Sequence, residues 1–271
     1  MPELAAREVA DDDNGSWTSH VRPLHPALAR YVASYHGYTQ RVPSPGGFWA
    51  TATHVLPLVV SLEGHHSISP PGARPTVVDS FLAGIHRRVV RVEATAFCGI
   101  QVNLTPLGAF GLLGGGVGEL AGRAESLDAT LDGRGRRLVE RVGNASSWEE
   151  RLEQAEQVLL AWFDDAPRPS PEVEMAWESI VAGRGRSPVE DLARECGWSR
   201  HHLGRRMREE LGASPKLLSR MVRFRLALDM VRRSGRPLAE IAAAAGYSDQ
   251  AHMNCDFREF TGRSPGSFAP G

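Results

Sequence analysis

Cysteine is scarce in this sequence. Cys98, Cys196 and Cys255 are the only three, far apart and without C-x-x-C spacing, which excludes a disulfide framework and reads as reduced, buried thiols in a cytosolic protein. Lysine is nearly missing: Lys216 stands alone among 31 basic residues, so arginine carries the positive charge. No apolar run is long enough to span a membrane, because the most apolar window, residues 96–118, is broken by Gln101, Asn103, Pro106 and several glycines. Residues 1–16 are acidic and alanine-rich, lack a basic-then-apolar leader pattern, and read as a disordered tail. Catalytic signatures are missing as well. Gly114-Gly115-Gly116 has no following Lys-Ser/Thr to make a phosphate loop, and no Gly-x-Ser-x-Gly occurs. His65 and His66 are adjacent and would point to opposite faces of a strand, whereas a metal-binding pair needs one residue between. Nothing basic or imidazole-bearing flanks Cys98 to activate it as a methyl acceptor. The expectation is a chain without catalytic residues, metal or cofactor.

What is present is an uneven charge distribution and a repeated motif. The 271 residues suit about two domains, and their net charge of -1 hides an asymmetry. From Pro171 onward there are 16 Lys+Arg against 13 Asp+Glu, and before it 15 against 19. A mildly basic carboxyl half on an acidic amino half is the pattern of a chain whose second half meets nucleic acid. Pro167, Pro169 and Pro171 make Asp164 to Pro171 a stiff linker. The resulting division is 1–16 tail, 17–164 first domain, 165–172 linker and 173–271 second domain.

In the first domain, His25 to Tyr38 carries apolar residues at helical spacing (Leu28, Tyr31, Val32, Tyr35), so a helix is predicted. His54 to Leu62, Thr76 to Leu82, Val89 to Val92 and Phe97 to Leu104 are β-branched and aromatic runs between prolines and glycines, which predicts a small antiparallel barrel or sandwich. Helices are predicted at 107–113, 127–142 and 148–163. The last places Leu152, Ala155, Leu159, Trp162 and Phe163 on one face and glutamates, Glu156 among them, on the rest. That face either packs on its own domain or pairs two copies.

The second domain contains the sharpest signal. Ala193, Gly197, Trp198 and Ser199, followed by Leu203 and Met207, fit two helices crossing at a tight turn: a small residue at the crossing, glycine for the open backbone angle, serine as cap. Ala242 to Asp249, with Met253 and Phe257, repeats the pattern with one extra residue in the turn. Short helices are predicted from Pro188 to Cys196, opened by a Ser187-Pro188 cap, and from Leu238 to Ala245. Second helices follow at 200–211 and 249–260, and a long connector at 215–233. With Leu203, Met207 and Leu211 buried, the opposite face of the first unit offers Arg200, His201, Gly204, Arg205 and Arg208 to a major groove. The second unit offers Gln250, Ala251, His252, Asn254 and Cys255. Arg184, Arg206, Lys216, Arg223 and Arg263 are candidate phosphate contacts.

Arg223-Phe224-Arg225-Leu226-Ala227, Ile241-Ala242, Gly246-Tyr247-Ser248-Asp249-Gln250-Ala251-His252, Phe257-Arg258 and Thr261-Gly262-Arg263-Ser264-Pro265 together resemble the DNA-binding domain of the AraC/XylS family of transcription regulators, over residues 173–268. The resemblance implies that both second helices enter successive major grooves, with Arg200, His201, Gly204, Arg205, Gln250, His252 and Cys255 reading bases. Cys255 stands where the family often has arginine. The amino-terminal half resembles the cupin-like sensor domains joined to such readers, partly through Pro106 to Phe110. The implied whole is an α+β chain: a cupin-like antiparallel barrel with flanking helices, then an all-α domain of two helix-turn-helix units joined by a long helix. Its implied partners are double-stranded operator DNA, RNA polymerase and a small-molecule effector, in a cytoplasmic regulator that acts as monomer or homodimer. Activation is the expectation, with repression as its alternative. Trp49, His54, Phe81, His86, Gln101 and Asn103 are the candidate effector contacts. A ligand-free dimerisation module, or a cupin-type metal enzyme fused to a DNA reader, are the competing readings of the first half.

Overall fold

The computed structural model describes residues 5–11, 15–40, 46–94 and 96–269. Its strands are β1 Ala5–Asp11, β2 Gly15–Val21, β3 Val32–Gln40, β4 Gly46–Ala50, β5 Leu56–Glu63, β6 His66–Ser69, β7 Thr76–Val78, β8 Phe81–Ala83, β9 Val90–Ala94, β10 Phe97–Leu104 and β11 Ala124–Ser126. The helices are α1 Pro106–Leu113, α2 Leu127–Leu131, α3 Gly133–Asn144, α4 Trp148–Phe163, α5 Pro171–Ala182, α6 Val189–Glu195, α7 Arg200–Leu211, α8 Pro215–Arg233, α9 Leu238–Ala245 and α10 Gln250–Thr261. The strands form two sheets, in the orders β1-β2-β3-β10-β5-β8-β11 and β4-β9-β6-β7, and neighbouring strands pair antiparallel. Among the described residues no helix is long and apolar enough to cross a membrane.

Several expectations need correction. The tail is not without structure: Ala5–Asp11 pairs with Gly15–Val21 along its whole length. The helix expected at His25 to Tyr38 is a short 3-10 turn at Pro26–Leu28 followed by β3. The register against β10 shifts between Asn103 and Leu104, which leaves Ala33 unpaired. That bulge puts Val32 and Tyr35 on the same buried side although they are three apart, and so it imitates a helical period within a strand. Thr76 to Leu82 is two short strands. Residues 127–142 are two helices broken at Asp132, which has a positive φ of 49°. Proline 171 opens α5 instead of ending the linker, and Pro188, not Ser187, is the N-cap of α6.

The apolar face of α4 packs on its own lobe, with Leu152, Ala155 and Leu159 fully buried. Glu156, expected on the polar side, turns inward: the Tyr35 hydroxyl donates to it at 2.7 Å and Arg22 pairs with it at 3.2 Å. Burial, then the Glu156 carboxylate, push the Tyr35 hydroxyl above its ordinary range.

One apolar core runs through both lobes, from Leu28 and Val32 to Phe257 and Phe260. The segment expected as a spacer is docked within it. The Ser170 N–H donates to Glu210 at 2.6 Å, Arg168 bonds Glu174, and Arg30 from the first lobe also pairs with Glu174. A second, aromatic core lies inside the sheets around Tyr38, Phe81 and Phe97.

Candidate nucleic-acid interface and effector cavity

The two helix-turn-helix units repeat down to single hydrogen bonds. In the first, Gly197 adopts φ 67° and the Trp198 N–H donates to the Ala193 carbonyl at 2.9 Å. In the second, Gly246 adopts φ 88° and the Tyr247 N–H donates to the Ala242 carbonyl at 2.9 Å. Only glycine takes such angles without strain. Ser199 caps α7 by accepting from the His202 N–H at 3.2 Å, and Asp249 caps α10 by accepting from the His252 N–H at 2.7 Å. The aromatic of each turn meets the histidine of its helix edge-on, Trp198 with His202 at 4.5 Å and Tyr247 with His252 at 5.2 Å. The extra residue in the second turn moves the cap from serine to aspartate. Ser199→Ala is expected to lower unfolding free energy by about 1 kcal/mol in urea titration, the usual worth of an N-cap side chain.

Leu203, Met207, Met253 and Phe257 are each fully buried, which turns the opposite faces outward. Arg200, His201, Arg205 and Arg208 are exposed, as are Gln250, Ala251, His252 and Cys255. Arg200 pairs with Glu190 at 2.5 Å and Arg205 bonds both oxygens of Glu209 at 3.1 Å. Gly204, expected on the open face, is buried beside the Arg208 guanidinium, and Asn254 is half-buried with its Oδ1 sealed from solvent. Of the phosphate candidates, Arg184, Lys216 and Arg263 are exposed. Arg223 is an internal brace: it donates to the Gly185 carbonyl at 3.0 Å and lies over the Tyr247 ring. Arg206 is half-buried and tied to Glu210 at 2.7 Å.

The first lobe touches both second helices at their carboxyl ends. At α7, a Cβ on Gly118 would stand 2.6 Å from the Arg208 carbonyl oxygen, so only glycine allows that approach, and Gly212 meets Val117. At α10, the Phe260 carbonyl accepts from the Ala52 N–H at 3.0 Å and Arg87 pairs with Glu259 at 3.4 Å. The amino-terminal halves of both helices, the ends that reach base edges in this motif, are left outward. Behind α10, Arg220 is clamped by Asp256 at 2.6 Å and Glu259 at 2.5 Å and lies over the Phe260 ring at 4.9 Å.

Between the sheets lies a cavity of about 1180 Å³. Trp49, His54, Phe81, His86, Gln101 and Asn103 all line it, with Trp49 exposed at its mouth. Gln101 donates to Asn103 at 2.8 Å and Asn103 to Ser34 at 2.9 Å, a polar strip along one wall. Arg225 and Arg232 of α8 reach the same cavity from the second lobe. His54 stands at this junction, 6.0 Å from the Trp177 ring, and burial aided by Arg225 pushes it down to about 4. Burial likewise lowers His36, His66 and His86 and raises the Cys98 thiol. As cavity residues, His36, His66, Arg225 and Arg232 were missed in the sequence; the pairing of His36 opposite Gln101 is the signal that finds the first. Among the described residues, no group of three His, Cys, Asp or Glu could hold a metal ion.

Residues 192–270 match the family described as a helix-turn-helix domain. Among curated proteins, the chain is 30% identical over 95 residues to an uncharacterized HTH-type transcriptional regulator, YbfI of Bacillus subtilis (strain 168), covering 35% of this chain and 34% of that protein. It is 36% identical over 76 residues to the HTH-type transcriptional regulator GlxA of Rhizobium meliloti (strain 1021), covering 28% and 24%. The chain thus spans about a third or less of the length of these relatives. Among solved structures it is similar to the C-terminal domain of AraT, a response regulator from Geobacillus stearothermophilus (28% identity, 38% of this chain and 86% of that one, TM-score 0.36). It is also similar to ToxT from Vibrio cholerae (10% identity, 86% and 97%, TM-score 0.46).

Proposed function

We propose, on the premise that the carboxyl-terminal lobe is a helix-turn-helix domain of the AraC type, that this chain is a sequence-specific DNA-binding transcription regulator. The observation that carries this reading is the outward placement of two matched helix starts, with Arg200, His201 and Arg205 on one and Gln250, Ala251 and His252 on the other. Arginine bonds guanine O6 and N7 in bidentate fashion, glutamine suits an adenine edge, and alanine suits a thymine methyl. Arg208 and Cys255 flank these readers. Gly204 serves by letting the helix backbone approach, and Asn254 becomes a reader only by turning out. Arg184, Lys216 and Arg263 supply phosphate contacts, with Arg206 joining if it leaves Glu210. Arg223 is withdrawn from that set.

Arg205→Ala is expected to weaken binding to the selected operator by about 1–3 kcal/mol and to relax one base position. A fluorescence titration against operator and random duplex checks this; equal loss on both would make Arg205 a phosphate contact.

The cavity supports control by a small molecule, since its volume of about 1180 Å³ is ample beside the roughly 300–1,000 Å³ usual for ligand sites. The segment 51–54 serves both sides: Thr51, Thr53 and His54 line the cavity, and Ala52 between them bonds the last turn of α10. A ligand that favours one arrangement of this segment would therefore favour one placement of α10. The same reading puts the chain in the cytoplasm with RNA polymerase as a protein partner. A homodimer would use a surface other than the apolar face of α4, which is covered.

A further inference from the structure

The inner cavity is walled by rings. Trp17 lies 5.4 Å from Phe97, 5.9 Å from Phe48 and 6.1 Å from Tyr38, and His66 lies 5.4 Å from Phe81 and 5.9 Å from Phe97. All six line the cavity, and such walls favour a flat ring offered edge-on or in offset stacking. Against them stand three imidazole nitrogens that are sealed from solvent and have no hydrogen-bond partner: Nδ1 of His54, Nδ1 of His66 and Nε2 of His86. A buried polar atom left unpaired is costly, and all three belong to residues that line this cavity.

The chemistry of those nitrogens is readable. His66 faces the Asp79 backbone and His86 the Gly84 and Thr51 backbones, contacts that favour a proton on the ring, while burial keeps both rings neutral. A neutral imidazole carries one N–H and one lone pair, so a hydroxyl, which both donates and accepts, answers either tautomer. The molecule suited to His66 and His86 therefore carries hydroxyl groups. A carboxylate among neutral imidazoles would be buried without a counter-charge. Of the four arginines lining the cavity, Arg225 pairs with Asp229 at 3.4 Å, Arg123 with Glu125 at 2.5 Å, Arg232 lies over the Phe268 ring, and Arg74 is exposed to solvent.

We propose that the cavity takes a neutral aromatic molecule bearing at least two hydroxyl groups, its ring against the wall formed by Trp17, Phe48 and Phe97 and its hydroxyls on His66 and His86. This rests on the reading of the cavity as the effector site. The test is calorimetric titration of the full chain at pH 7 with three probes of one ring size: 2,7-dihydroxynaphthalene, 2,7-dimethoxynaphthalene and 2-naphthoate. The diol is expected to bind at least tenfold tighter than either of the others. His66→Leu and His86→Leu are each expected to lose at least tenfold for the diol, and His66→Leu to leave operator binding without ligand unchanged. Should either leucine variant misfold, His66→Asn and His86→Asn retain a polar group, and the same selective loss is expected of them. Naphthoate binding as tightly as the diol, loss of affinity with Arg225→Gln and not with the histidine variants, or no binding of any probe by a chain that still binds operator would each overturn the proposal. Diol binding by a chain that fails to bind any duplex would uphold it and sink the DNA reading instead.

Discussion

Replacing Asp256 with alanine is expected to cost about 3–5 kcal/mol of unfolding free energy, enough to leave the second helix-turn-helix unit unfolded near physiological temperature. Asp256 is 1% exposed and accepts two bonds from Arg220, at 3.0 Å from Nε and 2.6 Å from Nη2. Taking it away strands a guanidinium in a site shared with Phe260, because Glu259, half in solvent, answers only one of its nitrogens. The large term is the cost of the orphaned charge, not the strength of the pair. It follows that Arg220→Met combined with Asp256→Leu should recover much of the loss. Urea unfolding of the three variants checks both statements; a loss below about 1 kcal/mol in Asp256→Ala would mean that water solvates Arg220.

Acid is expected to destabilise the protein before its carboxylates titrate. His54 lies at about 4 in the folded chain, chiefly through burial, against 6.5 when free. The unfolded chain therefore takes up a proton that the folded one refuses, and stability, complete above about pH 6.5, falls as the pH drops toward 4. At 1.36 kcal/mol per unit of difference, His54 alone contributes up to about 3 kcal/mol of that fall. His36, His66 and His86 act in the same direction. Glu259, held below its usual range mainly by its hydrogen bond to Arg220, adds its own loss only at lower pH. A series of thermal melts from pH 7.5 to 4 should show the decline, and His54→Phe should flatten it. An unchanged slope in that variant would show that His54 is solvated in the native chain.

Both helix-turn-helix units were legible because their signals are local: cap, glycine, aromatic and buried anchors lie within a few residues of one another. Gln101 and Asn103 were legible together because strand alternation sends both to one side of β10, whereas His54 and His86 lie between strands and reach the cavity from its loops. What sequence could not reveal depends on distant partners. Arg223 looks like a free cation until Gly185 and Tyr247 are placed against it, and Glu156 looks like surface until Tyr35, 121 residues away, reaches it. The strand at Val32–Gln40 was misread because a bulge shifts its period, and that bulge belongs to the pairing with Leu104, not to the strand alone.

The contacts of Gly118 with the end of α7 and of Ala52 with the end of α10 make the amino-terminal lobe a caliper, holding one jaw on each of two prongs. Duplex DNA repeats about every 34 Å, so whatever alters the gap between those jaws changes whether both prongs meet the helix in phase. Under the proposed function, a molecule held in the cavity need not touch a single nucleotide-facing side chain to decide which operator spacings are accepted.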